Sequence, residues 1–348
     1  MISREVRLAR HPQGHITADC FAIAARDIGE IQEGQVLIRN LWTSVDASTL
    51  LRLREVGPEG YLPPIPPGQP LIGLAVGEVC ESRSVRFAGG DLVTHIYGFR
   101  DYALVRPGGE TLAGVGSLRR IQPGLGAPED YLGALGHTGV TAYVGLIEVA
   151  GLVAGDVVWV SAAAGATGSM AAQIAKLRGH TVIGSAGSDD KVDYLLNELG
   201  LDGAFNYKSG GLRSLLRECA PRGIDVYYDN VGGDHLEAAL YELRNNGRVA
   251  MCGAISGYDD GPSPGPCNLF QAVVKNLTLR GFRGGAHAHL EGEALQVIGA
   301  WLREGRLKMR TTVYEGLERA PDAIVGLARG ANVGKTLVRT GTPEEFIS

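Results

Sequence analysis

Short apolar runs separated by turn residues fill the first 120 residues of the chain. Gln35 to Arg39 (QVLIR), Gly77 to Glu81 (GEVCE), Asp91 to His95 (DLVTH) and Tyr102 to Arg106 (YALVR) are bounded by Gly, Pro or charge, and each predicts a strand. Between them lies YLPPIPPGQP, Tyr61 to Pro70. Proline fixes φ and lacks a donor, so this stretch predicts a stiff loop that is not helical.

From about residue 140 the rhythm changes. Apolar runs at Val157 to Val160, Thr181 to Ile183, Ala204 to Tyr207, Asp225 to Tyr228, Arg248 to Cys252 and Leu277 to Phe282 predict six strands. Helical spacing fills the gaps, at Ser169 to Leu177, Asp189 to Leu199, Leu212 to Cys219 and Asp234 to Asn245. The second of these helices starts with acidic residues and is followed by Gly200, as helix ends prefer. Strands alternating with helices demand right-handed crossovers and a parallel sheet, so the segment predicts a doubly wound fold of the dinucleotide-binding kind. Two further helices, Glu293 to Glu304 and Leu317 to Arg329, and a last strand, Lys335 to Arg339, follow. The expected plan is a β-rich domain, residues 1–125 and 310–348, interrupted by a Rossmann-type domain, residues 126–309.

The stretch VVWVSAAAGATGSMAAQIAKLRG, Val157 to Gly179, joins a strand to a helix through small residues. In the turn Gly165-Ala166-Thr167-Gly168, the two glycines take the last two places of G-x-G-x-x-G, and Ala163 replaces the first. Gly165 permits close approach of a pyrophosphate, Gly168 lets the helix start against the strand, and the helix N-terminus offers N–H groups to phosphate. The pattern alone is weak; the strand before it and the helix after it are the context it needs. At the end of the second strand an NAD site carries an acidic residue. Here Ala186, Gly187 and Ser188 end the strand, Asp189 and Asp190 come later, and Lys191 follows. Small residues and a cation suit a 2′-phosphate and favour NADP. On spacing alone Lys191 is equally an ordinary solvated helix charge, and the two aspartates either cap the helix or face the ribose.

Composition narrows the reading. The chain has 348 residues, enough for two domains. With 33 Lys and Arg against 38 Asp and Glu, its net charge of −5 and lack of a basic run exclude a general nucleic-acid binder. No apolar stretch approaches the roughly 18 residues of a membrane span. Cys20, Cys80, Cys219, Cys252 and Cys267 are scattered, an odd number without a framework, which points to a reducing, cytoplasmic setting. The start, MISREVRLAR, lacks the apolar core of a secretory signal. No Cys/His pair has metal-site spacing, and the one close His pair, His287 and His289, reads as solvated or pocket-lining. The expectation is a protein without metal, in which hydride transfer must be assisted by hydrogen bonds.

The residues resemble the zinc-free branch of the medium-chain dehydrogenases/reductases, within it the group of leukotriene B4 12-hydroxydehydrogenase, prostaglandin 15-keto reductase and 2-alkenal reductases. The resemblance is carried by LGHTGVTAYVGL (Leu135 to Leu146), SAAAGATGS (Ser161 to Ser169), AGSDDKVDYL (Ala186 to Leu195), FNYK (Phe205 to Lys208), GIDVYYDNVGG (Gly223 to Gly233), CGAISGY (Cys252 to Tyr258), NLFQ (Asn268 to Gln271) and ARGANVGKTLV (Ala328 to Val338). The first 120 residues match more loosely, chiefly through GYLPPIPPGQP.

The resemblance implies a Rossmann-type sheet with a β-rich, GroES-like catalytic domain, and NADPH-dependent reduction of C=C bonds conjugated to a carbonyl. It matches Lys191 and Tyr207 to the holders of the 2′-phosphate, and Asn230 and Asn332 to cofactor-contacting asparagines. It matches Cys252, Ser256 and Tyr258 to the turn beside the nicotinamide and its ribose, and Phe282 to the end of the sixth strand. It implies that Tyr258 is catalytic: with the ribose 2′-OH, its hydroxyl would stabilise an enolate after hydride reaches the β-carbon. It also implies a homodimer joined through the sheet edge near Leu277 to Phe282. Tyr61, Ile65 and His137 are candidate pocket residues. Ser48 stands where the family often has a tyrosine, and His137 where it has Met or Leu, so both bear on the substrate. A zinc-independent carbonyl reductase or alcohol dehydrogenase using the same cofactor is the alternative, and a purely cofactor-binding, non-enzymatic role is a third reading.

Overall fold

The computed structural model describes residues 1–109, 111, 116–259, 261 and 264–341; the last stretch of the expected β-rich domain, 342–348, lies outside them. The chain divides into two units, Met1–Leu132 with Thr311–Ser348, and Gly133–Arg310.

The first unit is a mostly antiparallel sheet assembly. Its strands are β1 (Ile2–Leu8), β2 (Phe21–Asp27), β3 (Val36–Val45), β4 (Ala75–Ser82), β5 (Leu92–His95), β6 (Tyr102–Val105) and β7 (Arg119–Arg120), with a short helix α1 (Ala47–Arg52). The expected four strands are present, but β1 and β2 were not anticipated. They pair antiparallel, Ile2 with Asp27 through Leu8 with Phe21. Their pattern misleads because polar residues point inward: Ser3 and Glu5 are 2% and 3% exposed. The Glu5 carboxylate is held by the Arg7 guanidinium at 2.6 Å. Alternation runs inverted from Ile2 to Glu5 and then shifts phase, with Val6 and Leu8 fully buried. Tyr61 to Pro70 forms no helix.

The second unit begins with α2 (His137–Val144), which widens into a π turn over Gly145–Val149. Then β8 (Val157–Val160), α3 (Ala166–Leu177), β9 (Thr181–Ala186), α4 (Asp189–Asp193), β10 (Gly203–Asn206), α5 (Leu212–Cys219), β11 (Ile224–Asp229), α6 (Gly233–Glu242) and β12 (Leu243–Met251) alternate. They are followed by α7 (Phe270–Val274), β13 (Thr278–Gly281) and α8 (Glu291–Arg303). The chain returns to the first unit with β14 (Thr311–Glu315), α9 (Ala320–Ala328) and β15 (Lys335–Arg339).

The six strands of the second unit lie in the order β10-β9-β8-β11-β12-β13, all parallel. This order reverses direction at β8, the position where doubly wound sheets open a crevice at their carboxyl edge. Helix α6 is shorter than the pattern predicts: Leu243, 2% exposed, already leaves it for the core cluster around Trp159. Asn246 turns the chain with φ +62° and donates its N–H to the Lys275 carbonyl at 2.7 Å. Strand β14 was also unforeseen, because every position from Thr311 to Tyr314 is half-buried and no alternation shows.

The first-unit sheet runs β14-β15-β3-β4-β5-β7, with β6 also on β3. Lys335 of β15 is 2% exposed, and its ammonium pairs with Asp46 just ahead of α1. Ser44 Oγ donates to the same carboxylate at 2.6 Å. Such a pair is weak evidence for net stability, but removing Asp46 strands the buried Lys335 charge.

Two buried imidazoles set a pH dependence. Burial, with the Arg100 charge, pushes His95 down to about 3, and burial pushes His235 down to about 4. Unfolded, each titrates near 6.5. Below that pH the unfolded chain binds the extra proton, so stability falls as pH drops from 6.5 toward the folded values. At about pH 5.5 each histidine should remove about 1.4 kcal/mol from its own unit. Urea unfolding at pH 7.5 and 5.5, compared with His235→Phe, checks it. The variant should lose that share of the drop, and an unchanged slope would remove His235 from the account.

Candidate cofactor and catalytic site

The turn after β8 is built around one carbonyl. Ala162 has φ +47°, and Gly165 caps α3. A Cβ at Gly168 would stand 2.2 Å from the Ala162 oxygen, so only glycine lets the first turn of α3 lie on the strand end. Ala163, at the first glycine position, has no left-handed φ, and its side chain is fully buried. Alanine therefore suffices there. Ala166, Thr167 and Gly168 open α3, where the N–H groups have no intrahelical carbonyl and carry the positive end of the helix dipole. That is a phosphate cradle in form.

Beyond β9 the strand end is bare. A Cβ at Gly187 would meet the Tyr207 hydroxyl at 3.1 Å, so the missing side chain admits the phenol ring. Tyr207 stands edge-on to His235 at 5.0 Å, and the Lys208 ammonium lies 5.8 Å from the Tyr207 ring centre. Lys191 faces the same corner: burial, and then the charge of Lys208, push its ammonium below the usual lysine range. Two cations that repel each other across a half-buried corner gain from an anion placed between them. Asp189 neither caps α4 nor stands unengaged; its Oδ1 accepts from Asn206 Nδ2 at 2.8 Å. The sequence reading includes Gly187 in the small-residue strand end but gives Lys208 no role. The adjacency of Lys208 to Tyr207 was the available signal.

On the other side of β8 the ends of β11, β12 and β13 line up. Asp229 is 1% exposed and works as a cup. Its Oδ1 accepts from Tyr227 Oη at 2.7 Å and from the N–H groups of Val231 and Gly232 at 2.9 and 2.8 Å. Burial still holds its carboxyl above the ordinary range. Asn230 follows; its Nδ2 donates to the Ser161 carbonyl at 2.8 Å, and its N–H donates to Ser161 Oγ at 3.0 Å. Asn230 and Ser161 thus lock two neighbouring strand ends together. Neither Asp229 nor Ser161 was anticipated, since both act through backbone groups that sequence does not display.

Cys252 donates its N–H to the Asp229 carbonyl at 2.8 Å. Burial pushes its thiol up to about 11, so it is no thiolate nucleophile. Ser256 Oγ donates to the Val231 carbonyl at 2.6 Å. Tyr258 closes this turn: its hydroxyl oxygen accepts the Ala254 N–H at 3.0 Å. The backbone thus positions the phenol oxygen. Phe282, just past β13, packs edge-on to Tyr228 at 6.2 Å. His137 opens α2, with Nε2 3.5 Å from Thr141 Oγ1. Gly165 to Gly168, Lys191, Tyr207, Asn230, Cys252, Ser256, Tyr258 and Phe282 therefore all border the carboxyl ends of adjacent parallel strands.

Four named residues belong to the first unit, among them Ile65, which is buried in the Pro-rich loop. Ser48 is half-buried in α1, and Tyr61, also half-buried, sits in the Pro-rich loop. Asn332 is 8% exposed, and its Nδ2 donates to the Gly334 carbonyl at 2.9 Å, shaping its own turn.

A parallel sheet with a phosphate turn at its reversal point and a doubly cationic corner one strand away defines a dinucleotide-binding protein of the Rossmann type. Residues 4–113 match the family described as the N-terminal domain of oxidoreductase, and residues 166–300 match that described as zinc-binding dehydrogenase. The chain is 38% identical over 313 residues to the NADP(+)-dependent 2-alkenal reductase of Nicotiana tabacum, covering 89% of each chain. It is 35% identical over 336 residues to prostaglandin reductase 1 of Mus musculus, covering 95% of this chain and 97% of that one. The crystal structure of CurA in complex with NADPH from Vibrio vulnificus superposes with a TM-score of 0.89 at 33% identity, over 98% of this chain and all of that one, 100%. The chain belongs to the medium-chain dehydrogenase/reductase family, in the group of the prostaglandin and 2-alkenal reductases.

Proposed function

We propose that this protein is an NADPH-dependent reductase of the C=C bond in α,β-unsaturated ketones or aldehydes. The observation that carries the cofactor assignment is the Lys191–Lys208–Tyr207 corner beside the bare end of β9. The names of the tobacco and mouse relatives, a 2-alkenal reductase and a prostaglandin reductase, support the reaction class. When bound, NADPH supplies the hydride for the substrate β-carbon.

The chain's own residues do the rest. The opening turn of α3 holds the diphosphate, and Lys191 and Tyr207 hold the 2′-phosphate. Cys252, Ser256, Asn230 and Phe282 shape the nicotinamide end, with Asn332 as a further cofactor contact. Tyr258 donates its O–H to the substrate carbonyl oxygen as negative charge develops there, while the Ala254 N–H fixes the phenol oxygen. The enolate so formed takes a proton at its α-carbon from Tyr258 or water. Hydrogen bonds take the place of a metal at the carbonyl. Ser48, Tyr61 and His137 tune the choice of substrate.

NADPH oxidation with enones or enals, each paired with its saturated ketone or aldehyde, tests the reading. Turnover of the unsaturated members alone is expected. Turnover of the saturated partners would replace it with carbonyl reduction. In the same assay Lys191→Ala should raise KM for NADPH by about 10–100-fold, the loss of one charge-assisted contact, and leave KM for NADH alone. Equal shifts for both cofactors would remove Lys191 from the 2′-phosphate site.

We further infer a homodimer. Strand β13 is the outer strand of its sheet, and an uncovered edge invites pairing. Beside it in the chain, α7 and the residue before it expose Leu269, Phe270, Val273 and Val274 at 55, 72, 66 and 59%. Sedimentation should give twice the chain mass, and Phe270→Glu with Val273→Glu should halve it; a wild-type monomer would end this reading. The five cysteines are all free thiols, which fits a cytoplasmic enzyme. Purification of the native protein with cysteines already paired would count against that location.

A further inference from the structure

We propose that Glu148, His287 and His289 form a binding site for one divalent transition-metal ion, zinc by preference, separate from the hydride chemistry. One ligand atom from each residue lies within 4.8 Å of the other two. Tetrahedral bonds of about 2.0–2.2 Å hold their ligand atoms about 3.3–3.6 Å apart, so closure needs side-chain rotations that bring the three atoms together by about 1 Å. Two imidazoles and a carboxylate are a borderline nitrogen–oxygen set, which suits zinc, nickel or copper and not calcium or magnesium.

The fold brings the three together from two segments. Glu148 lies in the π turn that ends α2. The histidines lie on the 3-10 segment Gly284–Leu290, between β13 and α8, and this segment packs against α2. In a regular 3-10 turn, residues i and i+2 point about 120° apart. His287 breaks that geometry with φ −116° and ψ 40°, and the two rings stand 6.0 Å apart at 44°. The kink is what turns both imidazoles toward one point. Arg280 Nη1 donates to the Glu148 carbonyl at 3.3 Å, and the Phe282 ring meets His287 edge-on at 6.4 Å. Both contacts precede the kink and fasten the chain leaving β13 beside the end of α2. Glu148 and His289 are exposed and His287 half-buried, so water can complete the shell. The sequence expectation of two solvated histidines lacked Glu148, which lies far away in the chain.

An ion at this point would clamp the segment that Phe282 begins to the end of α2. Full-length protein, stripped with a chelator and titrated with zinc chloride by calorimetry, should bind one zinc per chain. A hundredfold excess over Kd should raise Tm by about 5–10 °C. Glu148→Gln and His289→Ala, both at exposed positions, should each weaken binding by about 10–100-fold and abolish the Tm rise, whereas magnesium should do nothing. Absence of zinc binding at 100-micromolar-range concentrations, about 10⁻⁴ M, would overturn the proposal. So would stoichiometric binding left unchanged by both substitutions, which would move the ion to exposed thiols such as Cys80 and Cys267.

Discussion

Gly168→Ala is expected to destroy NADPH binding and to destabilise the nucleotide unit by about 3 kcal/mol or more, because its methyl group would enter the Ala162 carbonyl oxygen. At 2.2 Å no rotamer change relieves the clash, since both atoms belong to the backbone frame. The start of α3 must lift off β8, and the helix N–H groups move away from the phosphates. For a unit of this size the Tm should fall by roughly 6–12 °C. Gly165→Ala is the control. Its Cβ would lie 3.2 Å from the same oxygen, a contact that a shift of a few tenths of an ångström relieves. That variant should keep its Tm within about 2 °C and lose only part of its NADPH affinity. Fluorescence titration and calorimetry on both proteins decide the matter; a stable, fully binding Gly168→Ala would refute this account of the turn.

Tyr258→Phe should lower kcat by about 100-fold, the usual loss on removing one donor to a developing oxyanion. The Kd for NADPH should change less than about twofold, since the phenol oxygen accepts from Ala254 and the ring is retained. Ala254 is exposed, so water can take the orphaned N–H at little structural expense. Unchanged kcat would take Tyr258 out of the mechanism. A large rise in Kd with unchanged kcat would make it a cofactor holder instead.

The alternating strands and helices of the nucleotide unit were legible because its central strands β8 and β11 carry apolar runs buried on both faces. In β1 the same logic misleads, since Ser3 and Glu5 occupy the inward face. Strand β14 shows no contrast between faces to be seen. In the site, residues defined by type and place in a motif, such as Gly168 and Lys191, could be read directly. Asp229 and Ser161 could not, because they serve by hydrogen-bonding backbone groups of neighbouring loops. Lys208 was visible beside Tyr207, but its repulsion of Lys191 emerges only once β9 and β10 are paired. Glu148 joins two distant histidines only through the packing of α2.

Strand β3 has one long edge shared by two partners. Strand β6 covers Val36 to Arg39, and β15 covers Trp42 to Val45. Lys335 of β15 reaches the Val45 carbonyl from 290 positions away. A ribosome adding about 5–20 residues per second needs roughly 15–60 s to cross that interval. Throughout it, half of the β3 edge waits without its strand, and Asp46 without its counter-ion. The contiguous segment Gly133–Arg310 emerges entirely within the delay. The nascent chain is therefore committed to completing its middle before its beginning. Nascent chains that stall before Lys335 should carry a finished nucleotide unit beside an open strand edge, the kind of surface that chaperones guard.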